Sequence, residues 1–158
     1  MTRVSDDEVF EYDILWFAVD SQNEIAQFDS GVYGLLPESV RGSLEDLESI
    51  ACFILEKLDD TSQTKVSENV FDRVILKDSR EVTKKSYFKH SLEFSRKGLY
   101  SYESYDSKPT SYQYFRVSMP DNPLKLSDLP EKYKCILEKY RLEECVFSEM
   151  ELITIKEK

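Results

Sequence analysis

Histidine, glycine and cysteine are all scarce in this 158-residue chain, and each shortage closes off a line of chemistry. The one imidazole is His90, set between Lys89 and Ser91 on a basic stretch. Histidine-based triads and multi-histidine zinc sites therefore lack their material. The four glycines spell neither G-x-x-x-x-G-K nor G-x-G-x-x-G, so no phosphate-cradling loop is encoded. Cys52, Cys135 and Cys145 are odd in number and show no C-x-x-C spacing. Cys52 and Cys135 fall on or beside predicted apolar helix stripes, so reduced core thiols are expected rather than nucleophiles. No apolar run exceeds six residues, whereas a membrane-spanning helix needs about 20. The opening Met1–Glu8 is too acidic and polar for a signal peptide, so a cytoplasmic location is expected.

What is present describes a folded, acidic chain. Apolar residues make up 41% and charged residues 33%, a balance that fits one globular domain rather than disorder. A chain of this length buries roughly 70% of the surface it exposes when unfolded and needs no staples. The net charge of −10 is unevenly placed. Residues 1–60 carry 15 Asp/Glu against 3 Lys/Arg, and residues 61–158 carry 16 against 18, giving −12 and +2. Within the second part Arg73, Lys77, Arg80, Lys84, Lys85, Lys89, Arg96 and Lys97 form a basic segment. An acidic half disfavours nucleic acid, which is bound by neutralising phosphates with Lys and Arg. It favours a basic protein partner through electrostatic steering.

The chain is organised around Tyr12–Gly34. Ile14–Val19 is an unbroken apolar run holding the single Trp, and it predicts a strand buried on both faces. Ser21–Glu24 reads as a turn and Ile25–Phe28 as the returning strand. Ser30–Gly34, with two of the glycines, predicts a bend. Residues 1–11 read as a loose acidic lead-in. Ser43 is an N-cap, with Asp46 as a weak capping box, for a helix over 44–58 with apolar residues at helical spacing. Asp59–Asn69 reads as a surface loop, and Val70–Leu76 fits helix or strand, with β-branching favouring strand. A second helix begins at Thr83, with Val82 and Tyr87 as a hydrophobic staple and Gly98 at its C′ position. Arg96 and Lys97 suit the negative end of its dipole. Leu99–Tyr105 and Tyr112–Met119 alternate as a second hairpin around the turn chemistry of Asp106–Ser111. Asp128 caps a third helix with Pro130 in its first turn. Cys145–Phe147 and Leu152–Ile155 read as a last strand, broken near Ser148–Glu149. The order predicts an α+β domain: an antiparallel or mixed sheet of about five strands with three helices mainly on one face.

Two groups of residues are candidates for function. Asp20, Glu24 and Asp29 lie around the first hairpin and would present negative charge to a partner. The same carboxylates could instead hold Mg²⁺ or work as an acid–base pair in a hydrolase, although no D-x-D-x-D-G loop supports a metal. The other group is aromatic. Tyr100 and Tyr102 share one strand face, as do Tyr112 and Tyr114. Left open, that face is a partner-binding surface, because Tyr supplies rigid amphipathic area; covered, it is core. No catalytic residue, metal ligand or cofactor is expected from either group.

Three phrases carry a resemblance: Asp13–Asp20 (Asp-Ile-Leu-Trp-Phe-Ala-Val-Asp), Leu36–Val40 (Leu-Pro-Glu-Ser-Val) and Lys97–Tyr102 (Lys-Gly-Leu-Tyr-Ser-Tyr). They look like those of small bacterial proteins that include presumed immunity proteins of polymorphic toxin systems. The resemblance implies a non-catalytic protein that binds and masks a partner such as a basic toxin domain. It carries over no functional residue. A homo-oligomer built on the tyrosine face stays open as a structural alternative, and neither nucleic acid nor membrane is expected as a partner.

Overall fold

A computed structural model describes residues 2–5, 14–31, 36–67, 81–104 and 113–155, with backbone only for 81–87. The elements run β1 (Leu15–Asp20), β2 (Ile25–Asp29), α1 (Leu44–Lys57), β3 (Thr64–Val66), α2 (Glu81–Arg96), β4 (Tyr100–Ser104), β5 (Gln113–Pro120), α3 (Glu131–Glu138), β6 (Arg141–Leu142) and β7 (Leu152–Thr154). The result is the expected α+β fold, with a mixed sheet in the order β3-β5-β4-β2-β1-β6 and β7 also paired to β5. Hairpins β1–β2 and β4–β5 are antiparallel, while β2–β4 and β1–β6 run parallel. Seven strands replace about five. β3 lies in the predicted 59–69 loop, and β6 follows α3 directly.

Pairing register sorts the side chains onto two faces. Phe17, Gln27, Ser101 and Ser118 form one row across β1, β2, β4 and β5. Helix α2 covers this row, with Phe94 edge-on to Phe17 at 5.9 Å and the Ser95 hydroxyl 2.7 Å from that of Ser118. At the β1 side Phe53 of α1 stacks on Tyr133 of α3 at 4.1 Å. The opposite row is Trp16, Phe28, Tyr102 and Arg116. Here Phe28 is the hub: it stacks on Trp16 at 4.0 Å and Tyr102 at 5.0 Å, and meets Tyr114 and Phe147 edge-on.

Among the described residues, no helix covers this second face. Segment 143–151 crosses it instead, because β6 pairs with β1 at one side of the sheet and β7 with β5 at the other. Phe147, fully buried, is the side chain this strap presses onto the aromatic row. The predicted strand at 145–147 is therefore absent. Cys145 and Phe147 are buried like alternate strand residues, but the Cys145 backbone bonds to Leu142 and Ser21 and the Phe147 backbone to side chains below, so no ladder forms.

Several local signals hold and several move. Ser43 caps α1 by accepting the Asp46 amide, and Gly98 has φ +96°. A Cβ there would sit 2.8 Å from the Leu124 nitrogen, so the position needs glycine on two grounds. Lys97 turns from α2 to donate to the Leu58 carbonyl (2.6 Å), and so serves the C-terminus of α1. Thr83 is inside α2, which starts at Glu81. Asp128 accepts the Lys125 amide at a 3-10 turn, leaving Pro130 at the start of α3. Residues 2–5 are not loose: Thr2 O accepts the Leu44 amide, an unpaired first-turn donor of α1, and Val4 is fully buried. The remainder of the lead-in, the bend beyond Gly31, the 70–76 segment, the staple side chains and the Asp106–Ser111 turn lie outside the described residues.

Two outcomes follow from this packing. Phe28→Ala should lower unfolding stability by about 3–5 kcal/mol in urea titration, the range for a buried Phe truncation. The second concerns the N-terminal tether. Glu45 accepts from the Thr2 hydroxyl and amide, which pulls its carboxyl from 4.5 to about 2. Its hold on residues 2–5 is thus fully present above pH 4.5 and lost as pH falls through 2. Hydrogen-exchange protection of the Val4 amide, taken relative to its intrinsic rate at each pH, should stay high at pH 4, fall toward pH 2, and be low already at pH 7 in Glu45→Ala.

Candidate functional site

The structure brings two of the three hairpin carboxylates together and hydrogen-bonds all three within the chain. Asp20 is fully buried at the end of β1, where the chain reverses through Asn23 at φ 61°. Its Oδ1 accepts the Gln22 and Glu24 amides (both 2.9 Å), and its Oδ2 accepts the Phe147 amide at 2.8 Å. Glu24, half-buried nearby, accepts from the Tyr100 hydroxyl and from Lys125 Nζ, both at 2.8 Å. Asp29 stands at the far end of β2, five residues and so about 17 Å from Glu24, and accepts the Gly31 amide at 3.0 Å. Asp20 and Glu24 are brought together; Asp29 is not. None of the three converges on an open cleft. Among the described residues, no group of three or more His, Cys, Asp or Glu is placed to hold a metal.

The tyrosine face takes the covered alternative. Tyr100, Tyr102 and Tyr114 are at most 2% exposed. The Tyr102 hydroxyl lies within hydrogen-bond reach of the Phe147 and Met150 carbonyls (3.1 and 2.6 Å), and Tyr114 accepts the Trp16 indole N–H at 3.2 Å. Burial raises all three phenols well above their ordinary value, with Glu24 adding to the rise at Tyr100. These three and Asp20 are therefore corrected from partner-binding residues to parts of the core. Period-two alternation marks which tyrosines share a face, but it cannot mark a strap that arrives from 45 residues downstream. Tyr112 lies outside the described residues.

What the surface offers instead is at the C-terminal end of the chain. A groove of about 390 Å³ opens between β6 with the root of the strap and β7. Pro37, Leu142, Cys145, Ile153 and Ile155 supply its apolar wall, and Arg141, Glu143, Glu144 and Thr154 its polar one. Arg141 is gripped by both carboxylate oxygens of Glu138 (3.0 and 2.7 Å) and donates to the Asp20 carbonyl at 2.8 Å. Its charge is thus already answered within the chain. Glu138, Glu143, Glu144, Glu149 and Glu151 are all exposed along this stretch. The sequence marks Cys145 but none of the charged residues along this stretch. The apolar alternation at 152–155 was visible, but not that residues 11 positions earlier would form the opposite wall.

Cys145 belongs to that wall, and its chemistry is muted. Burial, reinforced by Asp20, pushes its thiol up to about 11. Cys52 and Cys135, expected beside apolar stripes, are exposed; Cys52 sits two positions, about 200°, from buried Ile50 on α1. The lone His90 is exposed, edge-on to Phe94 at 5.2 Å.

No helix among the described residues is long and apolar enough to cross a membrane. No family model, curated protein or solved structure matches the chain. Native alkylation with iodoacetamide at pH 8 should label Cys52 and Cys135 and spare Cys145 by at least tenfold, read by peptide mass spectrometry. Equal labelling of all three would mean the strap is not seated as described.

Proposed function

We propose that this protein is a non-catalytic binding module of the immunity type, which masks a basic surface of a partner protein. One observation carries the reading: the exposed carboxylates of Glu143 and Glu144 line the apolar groove, with Glu138, Glu149 and Glu151 also exposed in the sequence on either side of them. Glu138 and Arg141 neutralise each other, which leaves four glutamates against Lys139 in residues 138–151. Apolar surface flanked by one sign of charge suits docking of an oppositely charged protein, with the charge speeding encounter and rejecting acidic competitors. The negative charge of the whole chain acts in the same direction. The resemblance to presumed immunity proteins also favours it.

The hydrolase alternative is less favoured: Asp20 and Glu24 meet at the turn but are taken up by hydrogen bonds from Gln22, Phe147, Tyr100 and Lys125, and Asp29 stands at the other end of β2. The immobilised protein, exposed to extract of its native host, should retain a basic protein. Raising NaCl from about 50 to 500 mM shortens electrostatic reach several-fold and should weaken that binding by tenfold or more. Salt-independent retention, or capture of small molecules alone, would defeat the reading.

A further inference from the structure

The backbone of β7 says how the groove is filled. The Arg116 amide donates to the Glu151 carbonyl at 2.8 Å, which makes Arg116 and Glu151 a hydrogen-bonded pair. In an antiparallel ladder such pairs recur at every second residue. With Tyr114 opposite Ile153, those two form the next bonded pair. Leu152 and Thr154, opposite Phe115 and Gln113, must then point their N–H and C=O groups away from β5. No strand lies along that outer edge among the described residues, and none of them bonds to these groups. Leu152 is also the large apolar side chain left exposed, at 40%. The open edge runs along the groove, whose wall includes Ile153, Thr154 and Ile155.

An unpaired edge beside an apolar groove is the arrangement by which sheets take up extended peptides: the main chain supplies affinity and alternate side chains enter the groove. Charge selects the occupant. With Arg141 held by Glu138, the carboxylates of Glu143 and Glu144 set the sign of the rim. We infer that the groove takes an extended basic segment of a partner protein, which adds as a strand to the outer edge of β7. It packs apolar side chains against the exposed Leu152 and sets basic ones, on its other face, beside Glu143 and Glu144. This rests on the protein-binding reading above and assigns its site.

The probe is a fluorescent eight-residue peptide of alternating Lys and Val, titrated with the full chain and read by anisotropy. Two controls accompany it: a twin N-methylated at alternate residues, which keeps charge but loses strand donors, and a Glu–Val twin. The unmodified basic peptide should bind, and both twins should bind at least tenfold more weakly. Thr154→Pro, which removes one outward N–H while leaving the Tyr114–Ile153 pair, should lose at least tenfold for the basic peptide. Glu143→Lys with Glu144→Lys should do likewise. Equal binding of the N-methylated twin to the unaltered protein would overturn the proposal without any reliance on a variant's folding. So would absence of binding at about 100 μM, or a concentration-dependent dimer in sedimentation that Thr154→Pro abolishes. If a natural basic partner is captured equally well by Thr154→Pro, this site is wrong while the protein-binding reading survives.

Discussion

The backbone of Phe147 is held between two buried side chains of opposite charge, and the covered face of the sheet depends on that hold. Its amide donates to Asp20 Oδ2 at 2.8 Å and its carbonyl accepts from Arg116 at 2.6 Å. Asp20 stands on the β1 hairpin and Arg116 on β5, so the two bonds pin the strap to both sides of the aromatic row. Burying a carboxylate or a guanidinium without partners costs several kcal/mol per ion. Asp20 avoids this by accepting three amides. Arg116 avoids it in part, its Nε having no partner among the described residues. The charges hold the strap in place, and the strap excludes water from Trp16, Phe28, Tyr102 and Tyr114. Lifting it would bare four aromatic rings and strand two charges together, which makes its seating cooperative with the core rather than a local matter.

That arrangement also explains which parts of the fold could be read in advance. The first hairpin, the Ser43 cap, the Gly98 stop and the aromatic hairpin are written in residues close together in sequence, where periodicity and turn chemistry act. The α+β class followed from their order. The strap was not legible, because its apolar residues have no period of their own and answer to a surface built up to 130 residues earlier. Asp20 was misread for the same reason. An acidic residue at a strand end is ordinarily solvated, and only the distant Phe147 amide turns this one into an interior ligand. β3 was missed because Thr64-Lys65-Val66 is three residues long and recruited by Met119 and its neighbours on β5 rather than by its own pattern. The groove needed both β6 and β7 in place before it existed.

The charge asymmetry changes meaning once the side chains are placed. Counted along the chain, the acidic half is residues 1–60. Yet Asp20 is internal, Glu24 is answered by Lys125, and Glu45 is engaged by Thr2. The C-terminal stretch looks balanced by count, but its charges are unevenly spread: Arg141 pairs with Glu138, and Glu143, Glu144, Glu149 and Glu151 follow with no Lys or Arg among residues 142–155. The strap has a division of labour along its length: Cys145 and Phe147 turn inward, while Glu143, Glu144, Glu149 and Glu151 remain outside. Net charge per segment is therefore a poor guide to where charge is displayed; burial and pairing within the fold decide it.

An open edge strand invites pairing with anything extended, including another copy of the same chain, and folded proteins commonly guard such edges with charge and short length. β7 has both guards: it spans three residues, and Glu151 precedes it while Glu143 and Glu144 line the opposite wall. Two copies meeting edge to edge would bring these carboxylates toward their equivalents, and like charges across a ladder are destabilising. A basic strand meets the reverse field. The same carboxylates that keep β7 from pairing with itself would therefore favour a partner of opposite sign, so solubility and selectivity need no separate devices. On the proposed reading, the acidity of this chain would act through its position near an unpaired edge, and its total would matter less than Glu143 and Glu144, which share the groove with Thr154.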